Sequence, residues 1–274
     1  MSLALPALPR SAAFNRGALI VGFWVLLAAA ADLITPYDPT IRSIKEVMLP
    51  PSWVHWFGTD DLGRDIFSRV LYATRLDLAI AVLGIFPPFV IGSFLGLLAA
   101  YGGRPGELVL AFIARSVGSF PTYLLALPIL ALAGSGLRGF LVAVALTGWV
   151  PFALRMAAEV RALKDGDFVA AAAGLGFSGG RVFSLHVLPN AILPALLLAV
   201  SGTAGMLLLG STLGFFGLIA PGSDGEWGAI VAEGVGNPDA GWWVSLFPGF
   251  AVLTVAAGLR LVGEGLAERL GGTG

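Results

Sequence analysis

The chain has 274 residues, of which 57% are hydrophobic and only 12% charged. An ordinary soluble domain carries roughly 25% charged residues, and the mean hydropathy here is +0.88, so the composition is that of a polytopic membrane protein. A net charge of −1 provides no basic surface for nucleic acid, and the lack of cysteine excludes disulfides, thiolate metal sites and cysteine nucleophiles. His55 and His186 stand far apart without ligand-like neighbours, which argues against a bound transition metal.

In chain order, Arg10 and Arg16 precede an apolar run from Gly17 to Ala31. Its small-residue end reads either as a signal-cleavage site or as the close of a retained helix, and the later spans favour the retained helix. A helix needs roughly 20 apolar residues to cross the hydrocarbon core. Six such stretches are read at 17–35, 78–100, 107–133, 138–158, 188–210 and 243–265. Pro87 and Pro88 are expected to kink the second, while Arg115, Pro121 and Pro128 interrupt the third. Gly92 with Gly96, and Gly202 with Gly205, allow close approach of helix backbones.

Between the first two spans lies Phe57 to Arg69. Thr59 and Asp60 are suited to cap a helix. Ile66, Phe67, Val70 and Leu71 then recur at helical spacing, with Arg64, Ser68, Arg69 and Arg75 on other faces. That pattern predicts an amphipathic helix, either lying at the membrane interface or solvated.

Six spans place both termini on one side. With the N-terminus inside, ten Lys/Arg lie at cytoplasmic ends and six outside, the expected direction of bias. The loop 211–242 carries Asp224, Glu226, Glu233 and Asp239 and no Lys or Arg, as suits an external loop.

The polar break 159–187 contains Asp167 and the run Ala170, Ala171, Ala172, Ala173, followed by Gly176 and then by His186, Leu188, Pro189 and Asn190. A short helix between two spans is a rigid lever. Its alanines offer a small, flat face, Gly176 permits a sharp exit, Pro189 pre-sets the first turn of the fifth span, and Asn190 can supply turn hydrogen bonds. Spacing alone equally allows an ordinary amphipathic connector. No G-x-x-x-x-G-K-[ST] occurs, and neither Lys45 nor Lys164 has P-loop surroundings.

The 167–190 stretch resembles the "EAA" loop of ABC-transporter permeases, a pattern of E-A-A, three residues, G, and a later L-P. Gly58, Thr59, Asp60, Gly63, Arg64, Asp65, Ser68 and Arg69 resemble the G-T-D-x-x-G-R-D-x-x-S-R hallmark of the dipeptide, oligopeptide and nickel branch. The resemblance runs from Trp56 to Leu270 through Tyr101-Gly102-Gly103, Phe120-Pro121, Leu146-Thr147-Gly148-Trp149, Trp227-Gly228, Ala232-Glu233-Gly234 and Leu246-Phe247-Pro248-Gly249. It is to the second, C-type permease of such systems. Departures are Ala170 for the family Glu, Ala173 for Arg, Gly214 for Ser, and a shortened Pro-rich stretch before Trp227.

The resemblance implies an all-α fold, a six-helix type I importer permease. Residues 1–76 would hold the first helix and an external segment, and 77–270 a five-helix core with the coupling loop 159–187. It implies a multi-pass subunit of a bacterial or archaeal cytoplasmic membrane, with both termini cytoplasmic. No cofactor is expected on the chain, since ATP and Mg belong to two partner ATPase subunits. A homologous second permease and an extracytoplasmic binding protein complete the importer of di- or oligopeptides, nickel or metal complexes. Binding-protein docking falls to the loops 36–57 and 211–242. Asp167, Ala170, Ala171, Ala172, Gly176, His186, Leu188, Pro189 and Asn190 would receive the ATPase motion. Thr147, Trp149, Ser201, Thr203, Ser211 and Thr212 are candidate pore-lining residues. The alternative is a stand-alone secondary transporter or channel. That calls for inverted repeats and midspan ionisable residues, neither of which is evident in the sequence.

Overall fold

A computed structural model describes residues 11–219, 225–236 and 241–271, without the side chains of Phe168, Ala170 and Ala173. The described chain is helical apart from short turns and one isolated bridge between Thr59 and Asp65. The helices are α1 (Ala12–Ile34), α2 (Ile66–Tyr101), α3 (Gly103–Gly118), α4 (Thr122–Ala133), α5 (Leu137–Thr147) and α6 (Val150–Lys164). They continue with α7 (Asp167–Gly174), α8 (Gly179–Val182), α9 (Leu188–Phe215), α10 (Trp227–Gly236) and α11 (Trp243–Gly271).

Four helical stretches are long and apolar enough to cross a bilayer: Ala12–Ile34, Ile66–Tyr101, Gly179–Phe215 and Trp243–Leu270. The expected third and fourth spans are instead bent pairs. α3 and α4 meet at 86°, and α5 and α6 at 43°. Pro121 follows the first break and Pro151 lies in the first turn after the second, where a missing N–H costs nothing. Counting each pair as one span gives up to six.

The segment predicted as a separate amphipathic helix is the beginning of α2, which runs unbroken for 36 residues and through Pro87 and Pro88. At 1.5 Å per residue it is about 54 Å long, well beyond a hydrocarbon core of about 30 Å. Most of its charged face does not meet water, because Arg64, Ser68 and Arg69 are buried, and only Arg75 of that set is exposed. Nor do Thr59 and Asp60 cap it. Asp65 does, accepting the Ser68 amide at 2.8 Å.

Two compact units form. One comprises Met1–Leu83, Gly134–Phe140 and Ser201–Gly274, the other Gly84–Ala133 and Leu141–Val200. The division expected at residue 76 therefore falls inside a continuous helix, and the N-terminal helix belongs to the same unit as the C-terminal one. The first unit is built around Trp24, Ile66, Val70, Leu207, Trp227, Ile230, Val244 and Val255. Glycines let α1 and α11 touch. A Cβ on Gly17 would sit 2.6 Å from the Gly258 carbonyl oxygen, and one on Gly258 2.8 Å from Ile20. The Trp24 indole spans the pair, its Nε1 donating to Thr254 Oγ1 at 3.1 Å.

In the second unit, Gly92 and Gly96 of α2 face Phe152, Ala153 and Met156 of α6. Any side chain at either glycine would push the helices apart. Arg161 pairs with Glu107 at 2.8 Å, and Lys164 lies 4.5 Å from the centre of the Tyr101 ring while donating to the Ala100 carbonyl.

Candidate functional site

Two clusters gather the residues singled out in the sequence, one in each unit. The first is the hallmark region at the head of α2. Gly63 turns the preceding loop with φ +73°, and a Cβ there would overlap the Ser43 carbonyl. The Thr59 hydroxyl donates to the Glu46 carbonyl and accepts the Leu49 amide at 2.8 Å. Gly58 leaves room for the Trp243 ring, whose Nε1 donates to the Thr59 carbonyl at 3.1 Å.

Asp60 is the hub. It accepts the Leu62 and Arg64 amides at 2.8 and 2.9 Å, Arg64 Nε at 2.7 Å and Arg69 Nη1 at 2.6 Å. Both guanidiniums reach across to Glu233 of α10, Arg64 through Nη2 at 3.1 Å and Arg69 through Nη1 and Nη2. Burial works against the Arg64 charge, but the Asp60 and Glu233 carboxylates outweigh it, so its proton is held more tightly than usual. Asp65 accepts Ser68 N and Oγ, both at 2.8 Å, and pairs with His55 Nδ1 at 2.9 Å. Asp60, Asp61 and Glu233 come close enough to one another to suggest a metal site. However, Asp60 and Glu233 are already neutralised by two arginines, so they do not fit a cation. The hallmark is thus a buried clasp between the segment that follows α1, α2 and α10.

Glu233 and His55 were not marked as partners by sequence reasoning. The available signal was complementary charge, an arginine-rich motif against a loop with acids and no cations. Asp224 and Asp239 of that loop lie outside the described residues.

The second cluster comprises α7, the turn that closes it and the head of the next long helix. Asp167 starts α7 and Gly174 ends it. Gly176 has φ +82° with nothing within 4 Å of an added Cβ, so the turn needs glycine for its backbone conformation and not for want of space. Phe177 N donates to the Ala172 carbonyl at 3.2 Å, closing the helix in a Schellman-type turn. Ala172 packs inward and Ala171 is exposed. The side chain of Ala170 lies outside the described residues. Leu175, missed in the sequence, is 80% exposed at the tip.

Pro189 stands in the first turn of α9, as expected, but α9 does not start from a loop. The stretch Gly179–Phe215 is continuous, with a π turn over Phe183–Val187. Leu188 N donates to the Phe183 carbonyl, five residues back. Widening this turn relieves the clash between a proline ring and the carbonyl four residues earlier. His186 lies in the π turn, and Asn190 Nδ2 donates to its carbonyl at 2.6 Å, bridging the gap.

Of the pore candidates, Thr147 and Trp149 are buried in the second unit, bonded to the Ala143 and Leu146 carbonyls. Ser211 is buried in the first. Ser201 is exposed, Thr203 half-buried, and Thr212 half-buried with its hydroxyl on the Leu208 carbonyl.

A helical chain with four to six stretches of bilayer length and composition has the architecture of a multi-pass membrane protein. Residues 92–271 match the binding-protein-dependent transport system inner membrane component family, and the chain belongs to it. It is 34% identical over 254 residues to the dipeptide transport system permease protein DppC of Alkalihalophilus pseudofirmus, covering 93% of this chain and 84% of that protein. It is 32% identical to the probable D,D-dipeptide transport system permease protein DdpC of Escherichia coli, covering 92% and 85%. The glutathione transport system permease protein GsiD of Pectobacterium atrosepticum is also 32% identical, with 92% and 86% covered. The chain is therefore a permease component of an ABC importer, working with ATPase and substrate-binding partners, and the stand-alone transporter reading is set aside.

Proposed function

We propose that this chain forms half of a translocation path for di- or oligopeptides, beside a homologous second permease. Two ATPase subunits, carrying ATP and Mg, would drive it from the cytoplasm, where both termini lie. An extracytoplasmic binding protein would deliver substrate to the external face. The names of the relatives support peptides, and no residue in this chain argues for nickel or another metal as cargo.

The observation that carries the coupling role is α7 itself. It is an eight-residue helix, closed by a glycine turn and presenting Ala171 and Leu175 outward. An apolar tip on a rigid lever suits a cleft in another protein, and rocking it would switch a bistable helix bundle. At the external face, Trp53 is 97% exposed, an aromatic anchor of the type used at interfaces. The test is co-expression with the neighbouring transport genes, followed by native mass spectrometry and uptake of labelled dipeptide in a deletion strain. One further permease and two ATPases bound to the chain, with peptide uptake restored, is the expected result. A stable homo-oligomer without ATPase would reject the reading.

A further inference from the structure

Below the clasp, the first unit buries two carboxyl groups that the hallmark does not use. Asp77 of α2 and Glu226, just before α10, are each 0% exposed. Asp77 Oδ2 accepts the Trp227 N–H at 3.0 Å, the amide next in the chain to Glu226. Glu226 caps α10, its Oε2 accepting Gly228 N at 2.8 Å and its Oε1 Ala229 N at 2.6 Å. Three of the four carboxyl oxygens thus have amide donors. The fourth, Asp77 Oδ1, has no amide donor and is left to the neighbouring Ser211 hydroxyl, itself only 8% exposed.

Among the described residues, no cation pairs with either carboxylate. α9 has no charged residue, α10 has only Glu233, and α11 has none before Arg260. α1 offers Arg16 near its start and Asp32 near its end, and Asp32 pairs with Arg75 at 2.8 Å. On α2, Arg69 comes within 3.2 Å of a Cβ built on Gly225, but Asp60 and Glu233 occupy it. Two ionised carboxylates here would place two negative charges in a dry site, a cost that proteins meet by keeping a proton.

We propose that Asp77 and Glu226 together hold one proton, and that its loss at alkaline pH loosens α10 from α2 and α9. This rests on the geometry of the first unit and stands apart from the peptide-import reading. Burial pushes the Glu226 carboxyl up to about 7, against the pull of the two amides it accepts. A carboxyl whose folded value lies above its unfolded one stabilises the fold while protonated. That contribution is complete at low pH and disappears as pH climbs through 7.

The test uses the full chain in lipid nanodiscs. Infrared difference spectra between about pH 6 and about pH 9, either side of the Glu226 value, should show a protonated-carboxyl carbonyl band that fades on alkalinisation. Asp77→Asn keeps an oxygen for the Trp227 amide and mimics the protonated acid. Combined with Glu226→Gln, which removes the remaining acid, it should lack the band and hold a flat thermal midpoint where the wild type falls by several degrees. Should the double variant fail to fold, Glu226→Gln alone, which takes the neighbouring negative charge from Asp77, should shift the pH at which the band fades. A wild type with no titrating band, or a midpoint that follows sodium and not pH, would overturn the proposal.

Discussion

Single residues carry the most specific consequences in the first unit. Gly214 stands where the family pattern has serine, and the reason is Glu226, because a Cβ at 214 would overlap its carboxylate. Gly214→Ser should therefore destabilise the chain by about 1–3 kcal/mol, the usual range for overpacking. The penalty should shrink in a Glu226→Ala background, and additive midpoints in the double-mutant cycle would show that some other neighbour is responsible. Arg69 is nearly inaccessible and shared between Asp60 and Glu233. Arg69→Leu leaves both carboxylates dependent on Arg64 and should cost roughly 3–5 kcal/mol. Arg69→Lys keeps charge but cannot bridge two acids with a planar fork, so its midpoint should fall between. Arg75→Ala, which opens an exposed pair, should move thermal unfolding far less.

At the scale of elements, α7 makes the sharpest prediction. Gly176 has positive φ and empty space around it, so a substitution acts on backbone conformation alone. Gly176→Leu should strain the turn by about 1–2 kcal/mol and re-aim the helix exit. Uptake and coupled ATPase rate should drop while membrane insertion is unchanged, and Gly176→Asn, which tolerates this region better, should be milder. Normal uptake in the leucine variant would sink the lever assignment. The position of α7 was legible because a small-residue run between polar breaks is a local pattern. So were the cores of α1, α2, α9 and α11, which rest on apolar length. α10 was not, since its ten residues are too few to stand out from the loop around them. The clasp was misread for a different reason. Periodicity saw a charged face and assigned it to water, while the acid that neutralises it, Glu233, lies 164 residues away. The π turn likewise escaped notice because the sequence shows Pro189 but not whether the chain before it is already helical.

The whole molecule turns on how many times the chain crosses the bilayer. Four long helices cross on length alone, and two bent pairs remain open. Starting inside, α1 exits and α2 returns. If both pairs cross, or neither does, α7 follows on the inner side, α9 exits and α11 brings the C-terminus back. Both cases place α7 and the termini on one side, and a single crossing pair would put α7 on the opposite side from the N-terminus. The discriminating positions are the α4–α5 connection at Ser135, which is external whenever the first pair crosses, and Ser178, whose side then depends on the second pair. The chain has no cysteine, so single cysteines report without background. With six crossings, Trp53→Cys and Ser135→Cys should react with a membrane-impermeant maleimide in intact cells, and Ser178→Cys, just beyond α7, only after permeabilisation. Labelling of both Ser135→Cys and Ser178→Cys restricted to permeabilised cells would make the pairs re-entrant and the chain a four-span protein. Labelling of Ser178→Cys in intact cells would separate α7 from any cytoplasmic ATPase and remove the coupling role.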